Sequence, residues 1–120
     1  MGKILIIDDA VYARDILKKI LESGGHEIVA EAGNGVDGVA LFEKTHPDIT
    51  IVDMIMPKMN GIDTIKTIKK IDANAKILVI SADGQPDHIE MAIKHGALGY
   101  INKPYQNQSV LNEIALLLGR

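Results

Sequence analysis

Five residues of this sequence carry side chains that could act together, because each stands at or near the end of a predicted strand. They comprise three carboxylates, one hydroxyl and one ammonium: Asp8, Asp9, Asp53, Ser81 and Lys103. Clustered carboxylates repel one another, and a hard cation such as Mg²⁺ relieves that repulsion while it keeps several water ligands. A carboxylate between such a metal and an ammonium could accept a phosphoryl group as an acyl phosphate, because both charges neutralise the transferred group.

Each of these residues also has an ordinary structural interpretation. Asp8 or Asp9 could cap the helix that follows. Asp53 could be a turn residue, and Ser81 could bond to the backbone of its own loop. Lys103 could be a solvated charge beside a turn. We favour a shared site, because ligands of an open α/β sheet bind at the carboxyl ends of its strands, where all five residues would meet.

The elements that would position these residues follow from the hydrophobic pattern. Short apolar runs predict strands at residues 4–7, 27–32, 49–52, 77–80 and 99–102. Apolar residues at helical spacing predict helices at residues 11–23, 35–45, around 62–68, at 87–95 and around 110–118. Strict alternation of strand and helix indicates an α/β protein with a parallel sheet and helices on both faces. We therefore expect one (βα)₅ domain over residues 1–120.

The composition narrows the class of protein. The 120 residues are 47% hydrophobic and 24% charged, which is typical of a globular domain. The net charge of −3 disfavours binding to the negatively charged backbone of nucleic acid. The absence of cysteine excludes disulfides and thiolate sites. No apolar run approaches the roughly 18 residues of a membrane span, and the N-terminus becomes acidic too early for a signal peptide. We expect a cytoplasmic monomer without membrane insertion or a nucleic-acid partner.

These motifs, in this order, resemble the response-regulator receiver domains of two-component phosphorelay systems. The segment of residues 53–61, with its Met-Pro step and closing glycine, is similar to the phosphoacceptor loop of that family. Three further pairs fall at the places the family uses: Ser81-Ala82, Gly96-Ala97 and Lys103-Pro104. The resemblance covers the full length, and it implies a three-layer, doubly wound, flavodoxin-like fold with the strand order 2-1-3-4-5.

The resemblance implies a phosphoacceptor and a metal site. Asp53 is similar to the phosphorylated aspartate. Asp8 and Asp9 are similar to the acidic pair, with Asp9 as the direct metal ligand and Asp8 acting through water. Asp53 and the backbone carbonyl of Ile55 would complete the site for Mg²⁺, for which Mn²⁺ can substitute.

The resemblance also implies catalytic and switch residues. Ser81 is similar to the hydroxyl residue that follows the phosphoryl group, and Lys103 to the lysine that pairs with that group. The bond from Lys103 to Pro104 is expected to be cis. Tyr100 falls at the switch aromatic, although apart from the resemblance it would be a half-buried strand residue. Such a protein is no turnover enzyme on external substrates, but it catalyses its own phosphorylation and dephosphorylation.

Two stretches point to a narrower group within the family. Residues 8–14 and 81–85 are most similar to stand-alone chemotaxis regulators of the CheY type. That similarity implies a CheA-like histidine kinase as phosphodonor. It also implies a downstream protein that binds the face formed by the fourth helix, the fifth strand and the fifth helix. A stand-alone receiver of another phosphorelay, or the receiver part of a longer regulator, is an alternative.

Ile55 bears on two further points. It stands two residues after Asp53, as Asp83 stands two residues after Ser81, and in this family both positions tune the phosphoryl lifetime. Because Ile55 cannot orient water, we expect slow self-dephosphorylation. Related phosphatases would place an acidic residue at this position, so Ile55 also argues against a Mg²⁺-dependent phosphatase.

A dinucleotide-binding domain is the other alternative. Residues 33–38 read G-x-G-x-x-G after a predicted strand, and Asp53 follows twenty residues after the first glycine. This interpretation leaves Asp8, Asp9 and Lys103 without a role, and the chain is short for two mononucleotide-binding halves. We expect these glycines to serve a tight turn and close packing.

Overall fold

The fold is described from a computed structural model of residues 1–120. Strands and helices alternate along the whole chain, as the hydrophobic pattern predicted. The strands are β1 (Lys3–Ile7), β2 (Glu27–Ala32), β3 (Ile49–Val52), β4 (Ile77–Ser81) and β5 (Gly99–Asn102). The helices are α1 (Val11–Ser23), α2 (Gly35–Thr45), α3 (Gly61–Ile71), α4 (Pro86–Lys94) and α5 (Asn107–Leu118).

The strands form one parallel sheet in the order β2-β1-β3-β4-β5. The predicted strand order is therefore confirmed. The three central strands are almost wholly buried, and β2 and β5 form the half-exposed edges. This explains why the central strands are continuous apolar runs, whereas β2 carries charged residues.

Two hydrophobic cores lie on opposite faces of the sheet. Alternate residues of β1 illustrate the division: Leu5 and Ile7 belong to one core, and Ile4 and Ile6 belong to the other. The first core includes residues of α2, α3 and α4, and the second includes residues of α1 and α5. Three layers result, and they hold the carboxyl ends of β1, β3 and β4 side by side.

Helix ends follow local chemistry. Asn34 caps α2, since its side chain accepts a hydrogen bond from the Asp37 N–H. Asn60 caps α3 in the same way. Helix α4 begins at Pro86, one residue earlier than predicted, because proline suits the first turn of a helix.

Two of the three glycines in residues 33–38, Gly35 and Gly38, serve close packing, as expected. A Cβ atom on Gly35 would lie 2.2 Å from the Thr64 hydroxyl and 2.6 Å from the Met59 carbonyl oxygen. A Cβ atom on Gly38 would lie 2.4 Å from Cδ1 of Ile7. The glycines therefore allow α2 to approach the first strand and the loop that leads into α3. No helix is both long enough and apolar enough to span a membrane.

Candidate functional site

Three carboxylates meet at the carboxyl edge of the sheet. Asp8 and Asp9 follow β1, and Asp53 follows β3, its neighbour in the sheet. One carboxylate oxygen from each residue lies within 4.8 Å of the others. Asp8 and Asp53 are buried, at 2% and 8% exposure, whereas Asp9 is exposed. The cluster is therefore open to solvent on one side.

Lys103, the residue that follows β5, brings the positive charge to this cluster. Its ammonium lies 2.9 Å from Oδ2 of Asp8 and 3.9 Å from Oδ2 of Asp53. The Lys103 N–H donates to the Ser81 carbonyl oxygen at 2.9 Å, and the peptide bond to Pro104 is cis. The hydrogen bond to Ser81 holds the lysine main chain beside the end of β4.

Ser81 and Tyr100 are linked through Asp83, whose backbone forms a hydrogen bond with each of them. Ser81 is fully buried at the end of β4, and its hydroxyl oxygen accepts a hydrogen bond from the Asp83 N–H at 3.2 Å. The Tyr100 hydroxyl donates to the Asp83 carbonyl oxygen. Burial, together with the charge of Asp83, raises the pKa of Tyr100, so this hydroxyl keeps its proton and stays a donor at neutral pH.

Ile55 lies beside the predicted phosphoacceptor. Its backbone N–H is 3.4 Å from Oδ1 of Asp53, and its side chain is 64% exposed. It lines a cavity of about 330 Å³ together with Met54, Met56, Asn60, Ile62, Asp83 and His88. The two positions expected to tune the phosphoryl lifetime, 55 and 83, therefore share one cavity.

The surroundings of Asp53 set its protonation. Burial raises the pKa of this carboxyl group, and the charge of Asp8 acts in the same direction. The Ser81 hydroxyl, the Lys103 ammonium and the Ile55 N–H lower the pKa but do not cancel the effect of burial. A further positive charge nearby would therefore stabilise the ionised form of Asp53, because an opposite charge favours the carboxylate.

The donor set fits a hard divalent cation. Three carboxylates face a single ammonium, so negative charge is in excess. The exposed Asp9 carboxylate has no hydrogen bond or ion pair within the chain. Carboxylate oxygens and open access to water are what Mg²⁺ requires, so Asp8, Asp9 and Asp53 could hold this ion.

The family follows from comparison with known proteins. A model of the response regulator receiver domain matches residues 4–115. The chain belongs to this receiver family. It is therefore a component of two-component phosphorelay signalling, in a family whose members are phosphorylated on an aspartate and bind Mg²⁺ at an acidic pocket.

Curated relatives of this receiver cover nearly the whole chain. It is 48% identical over 115 residues to the chemotaxis protein CheY of Thermotoga maritima, and the alignment covers 95% of this chain and 96% of that protein. It is 45% identical over 112 residues to the chemotaxis protein CheY of Bacillus subtilis, with 93% of each chain covered.

Solved structures share the fold of this receiver. A crystal structure of the CheX–CheY–BeF3–Mg²⁺ complex from Borrelia burgdorferi matches with a TM-score of 0.93 at 32% identity, covering 96% of this chain and 87% of that chain. A response regulator receiver domain protein from Clostridium thermocellum also gives a TM-score of 0.93 at 32% identity, with 100% and 96% covered.

Sequence reasoning assigned no role to three residues at the margin of the receiver site. Arg14 contacts the Asp8 carbonyl oxygen and the Glu31 carboxylate. His88 places Nδ1 2.6 Å from Oδ2 of Asp83. Glu31 could have been found, because it lies near the carboxyl end of the second strand. No sequence pattern indicates a role for Arg14 or His88.

Proposed function

We propose that Asp53 accepts a phosphoryl group from a CheA-like histidine kinase with Mg²⁺ as cofactor, and that this controls chemotaxis. One observation carries the proposal: a buried aspartate lies beside the acidic pair Asp8 and Asp9 and beside the Lys103 ammonium. The identity of 45–48% to CheY proteins over 93–95% of the chain favours chemotaxis over another phosphorelay. The proposal treats residues 1–120 as one monomeric receiver in the cytoplasm, where a kinase has access to ATP.

The transfer step follows from the chemistry of the carboxylate. A carboxylate oxygen of Asp53 forms a bond to phosphorus as the bond between phosphorus and the donor imidazole nitrogen breaks. The electron pair of the broken bond stays on that nitrogen, which takes up a proton. A bound Mg²⁺ would supply charge neutralisation for the transferred group.

Lys103 contributes a second charge from the chain itself. Its ammonium is 3.9 Å from Asp53 and is held by Asp8 at 2.9 Å. A phosphoryl group on Asp53 would present new oxygens within reach of this ammonium. The lysine would then stabilise charge that develops during transfer, which is worth more in a partly buried site than in water.

The response would pass through Ser81 and Asp83 to Tyr100. The Ser81 hydroxyl accepts from the Asp83 N–H, so its own proton is available to a phosphoryl oxygen. Movement of Ser81 would displace Asp83, which donates to the Ser81 hydroxyl. The displacement would alter the hydrogen bond that the Asp83 carbonyl oxygen accepts from the Tyr100 hydroxyl. Tyr100 lies on β5, so the proposed output surface is formed by α4, β5 and α5 and binds a downstream protein. A shift of a few kcal/mol between two shapes suffices for such a switch.

The experiment is phosphorylation by a small phosphodonor with and without Mg²⁺, measured as the mass increase of one phosphoryl group. The parent should gain one group only with Mg²⁺, and Asp53→Asn should gain none. Asp15→Asn, which changes an exposed aspartate on α1, is the matched control and should behave as the parent. Phosphorylation of Asp53→Asn, or equal phosphorylation without divalent cation, would contradict the proposal.

A further inference from the structure

The acidic pair poses a geometric problem that the chain must solve. Neighbouring residues of an extended strand point to opposite faces, yet Asp8 and Asp9 offer carboxylate oxygens to the same place. The chain therefore leaves the sheet at this point, and β1 ends at Ile7. The Asp8 N–H still donates to the Ala32 carbonyl oxygen, but the Asp8 carbonyl oxygen has no backbone partner.

Arg14 supplies the missing donor. Its Nη1 lies 2.6 Å from the Asp8 carbonyl oxygen, the only hydrogen bond that this oxygen accepts. Asp8 is 2% exposed, so water cannot readily replace the arginine. The Asp8 carboxylate is held separately, by the Ala10 N–H at 3.0 Å and the Lys103 ammonium at 2.9 Å. Arg14 therefore secures the main chain between the two carboxylates.

Glu31 holds Arg14 in this orientation. Oε1 of Glu31 accepts from Nε of Arg14 at 3.2 Å, and Oε2 lies 3.4 Å from the Lys18 ammonium. The Arg14 and Glu31 side chains are 16% and 28% exposed. The planar guanidinium can meet two acceptors in fixed directions, which an ammonium cannot do as well. A relay thus runs from β2 through α1 to the end of β1.

We infer that Arg14, oriented by Glu31, is a positioning residue that sets the geometry of Asp8 and Asp9 for a divalent cation. The inference rests on the proposed function, because it presumes that these carboxylates bind the ion. Glu31 offsets the charge of Arg14, so the guanidinium should not act mainly as a charge that repels the cation. Its effect should come from the hydrogen bond to the Asp8 carbonyl oxygen.

The test measures Mg²⁺ affinity by calorimetry and by the amide chemical shifts of the whole chain. Arg14→Met should raise the Mg²⁺ dissociation constant by about tenfold, the lower range for loss of a group that orients a metal ligand. Arg14→Lys should show a smaller rise, because one ammonium cannot serve both acceptors in the same directions. Glu31→Gln keeps the arginine but weakens its orientation, so it should also raise the dissociation constant.

The matched control is Lys18→Met. It removes the other positive charge on Glu31 and leaves the contact from Arg14 to Asp8 in place, so Mg²⁺ affinity should not change. Raised salt separates charge from position, since a charge effect is screened and a positional one persists. Melting without cation shows whether each variant is folded, and Arg14→Lys and Glu31→Gln carry the test if Arg14→Met is unfolded.

Three outcomes have distinct meanings. Unchanged affinity in Arg14→Lys and Glu31→Gln would overturn the inference while leaving the proposed function intact. Equal weakening by Lys18→Met would also overturn it, because this variant leaves the contact from Arg14 to Asp8 in place, so the loss of affinity would not depend on that contact. A parent that binds no Mg²⁺ and takes no phosphoryl group would instead refute the proposed function, and the inference with it.

Discussion

Lys103 and Asp8 form a direct ion pair, with 2.9 Å between Nζ and Oδ2, whereas 3.9 Å separates the same ammonium from Oδ2 of Asp53. The Asp8 side chain is 3% exposed, so the carboxylate end of this pair is shielded from water, whereas the Lys103 side chain is 25% exposed. The lysine thus stands beside the proposed phosphoacceptor but is engaged elsewhere. If Asp53 is phosphorylated as proposed, we expect the lysine to change partner without a large movement of the backbone.

Removing that ammonium should slow the transfer. We expect Lys103→Met to lower the rate of phosphorylation by about 10²-fold, a typical cost of losing one group that stabilises developing charge. The pKa of Asp53 should also rise further, since Lys103 now lowers it. The measurement is the rate of mass increase with a small phosphodonor and Mg²⁺. Lys66→Met, at an exposed position of α3, is the control, and a Lys103→Met rate equal to that of the control would contradict this prediction.

Mg²⁺ should stabilise the fold through the acidic cluster. At about 100 times its dissociation constant, a ligand that binds only the folded state adds about 2.7 kcal/mol to the free energy of unfolding. We expect this gain in the parent and the loss of most of it in Asp9→Asn. Urea denaturation with and without Mg²⁺ measures both. Without cation, Asp9→Asn should be no less stable than the parent, because the Asp9 carboxylate lacks a partner and lies among like charges.

Ile55 should prolong the phosphorylated state. Its apolar side chain cannot orient an attacking water, whereas an amide at the same place could. We expect Ile55→Asn to speed the decay of the acyl phosphate roughly fivefold, since one hydrogen bond of about 1 kcal/mol to that water would lower the barrier. Ile55→Val, which stays apolar, should decay as the parent does. Equal or slower decay of Ile55→Asn would refute the prediction, and the loss of label over time is the measurement.

His26 should make the fold less stable in acid. Burial, and secondarily the charge of the N-terminus, lowers the pKa of His26, and its Nδ1 accepts from the Gly2 N–H at 3.1 Å. The unfolded chain therefore binds a proton more readily than the folded chain. The free energy of unfolding should fall as pH drops below the ordinary histidine pKa of about 6.5 and should level off below the folded value.

The asparagine variant at this position separates the histidine from other titrating groups. His26→Asn keeps an acceptor near the Gly2 N–H but cannot take up a proton, so its stability should depend less on pH in that window. Urea denaturation at several pH values compares it with the parent. Identical slopes for the two proteins would count against the assignment.

Thr50 should be a site where a hydroxyl weakens the core. It lies in β3 at 1% exposure, and its Oγ1 has no hydrogen-bond partner. Thr50→Val keeps the shape and removes the unpaired group, so the free energy of unfolding should rise by about 1 kcal/mol. Thr64→Val is the control: the Thr64 hydroxyl, equally buried, donates to the Asn60 carbonyl oxygen at 2.8 Å, so this change should cost about 1 kcal/mol.

The class of fold could be predicted because each element carries its own signal. The continuous apolar run of β1 and the helical spacing in α1 are local features, and their alternation leaves few topologies. The alternative interpretation, in which Asp8 or Asp9 caps the first helix, does not hold. Helix α1 has Ala10 at its N-cap with no side-chain hydrogen bond, and the Asp8 carboxylate instead accepts from the Ala10 N–H and pairs with Lys103.

The sequence by itself determined that three carboxylates, a serine and a lysine would lie at one edge of a parallel sheet, since strand ends are readable and parallel strands align them. Only the tertiary structure decided that Lys103 pairs with Asp8, 95 residues away, and that Arg14 reaches from α1 to the end of β1 and to Glu31 on β2. These contacts are hydrogen bonds of about 3 Å between side chains and groups of different elements. Periodicity places a residue on a face of its own element, but the partner it meets depends on how several elements pack.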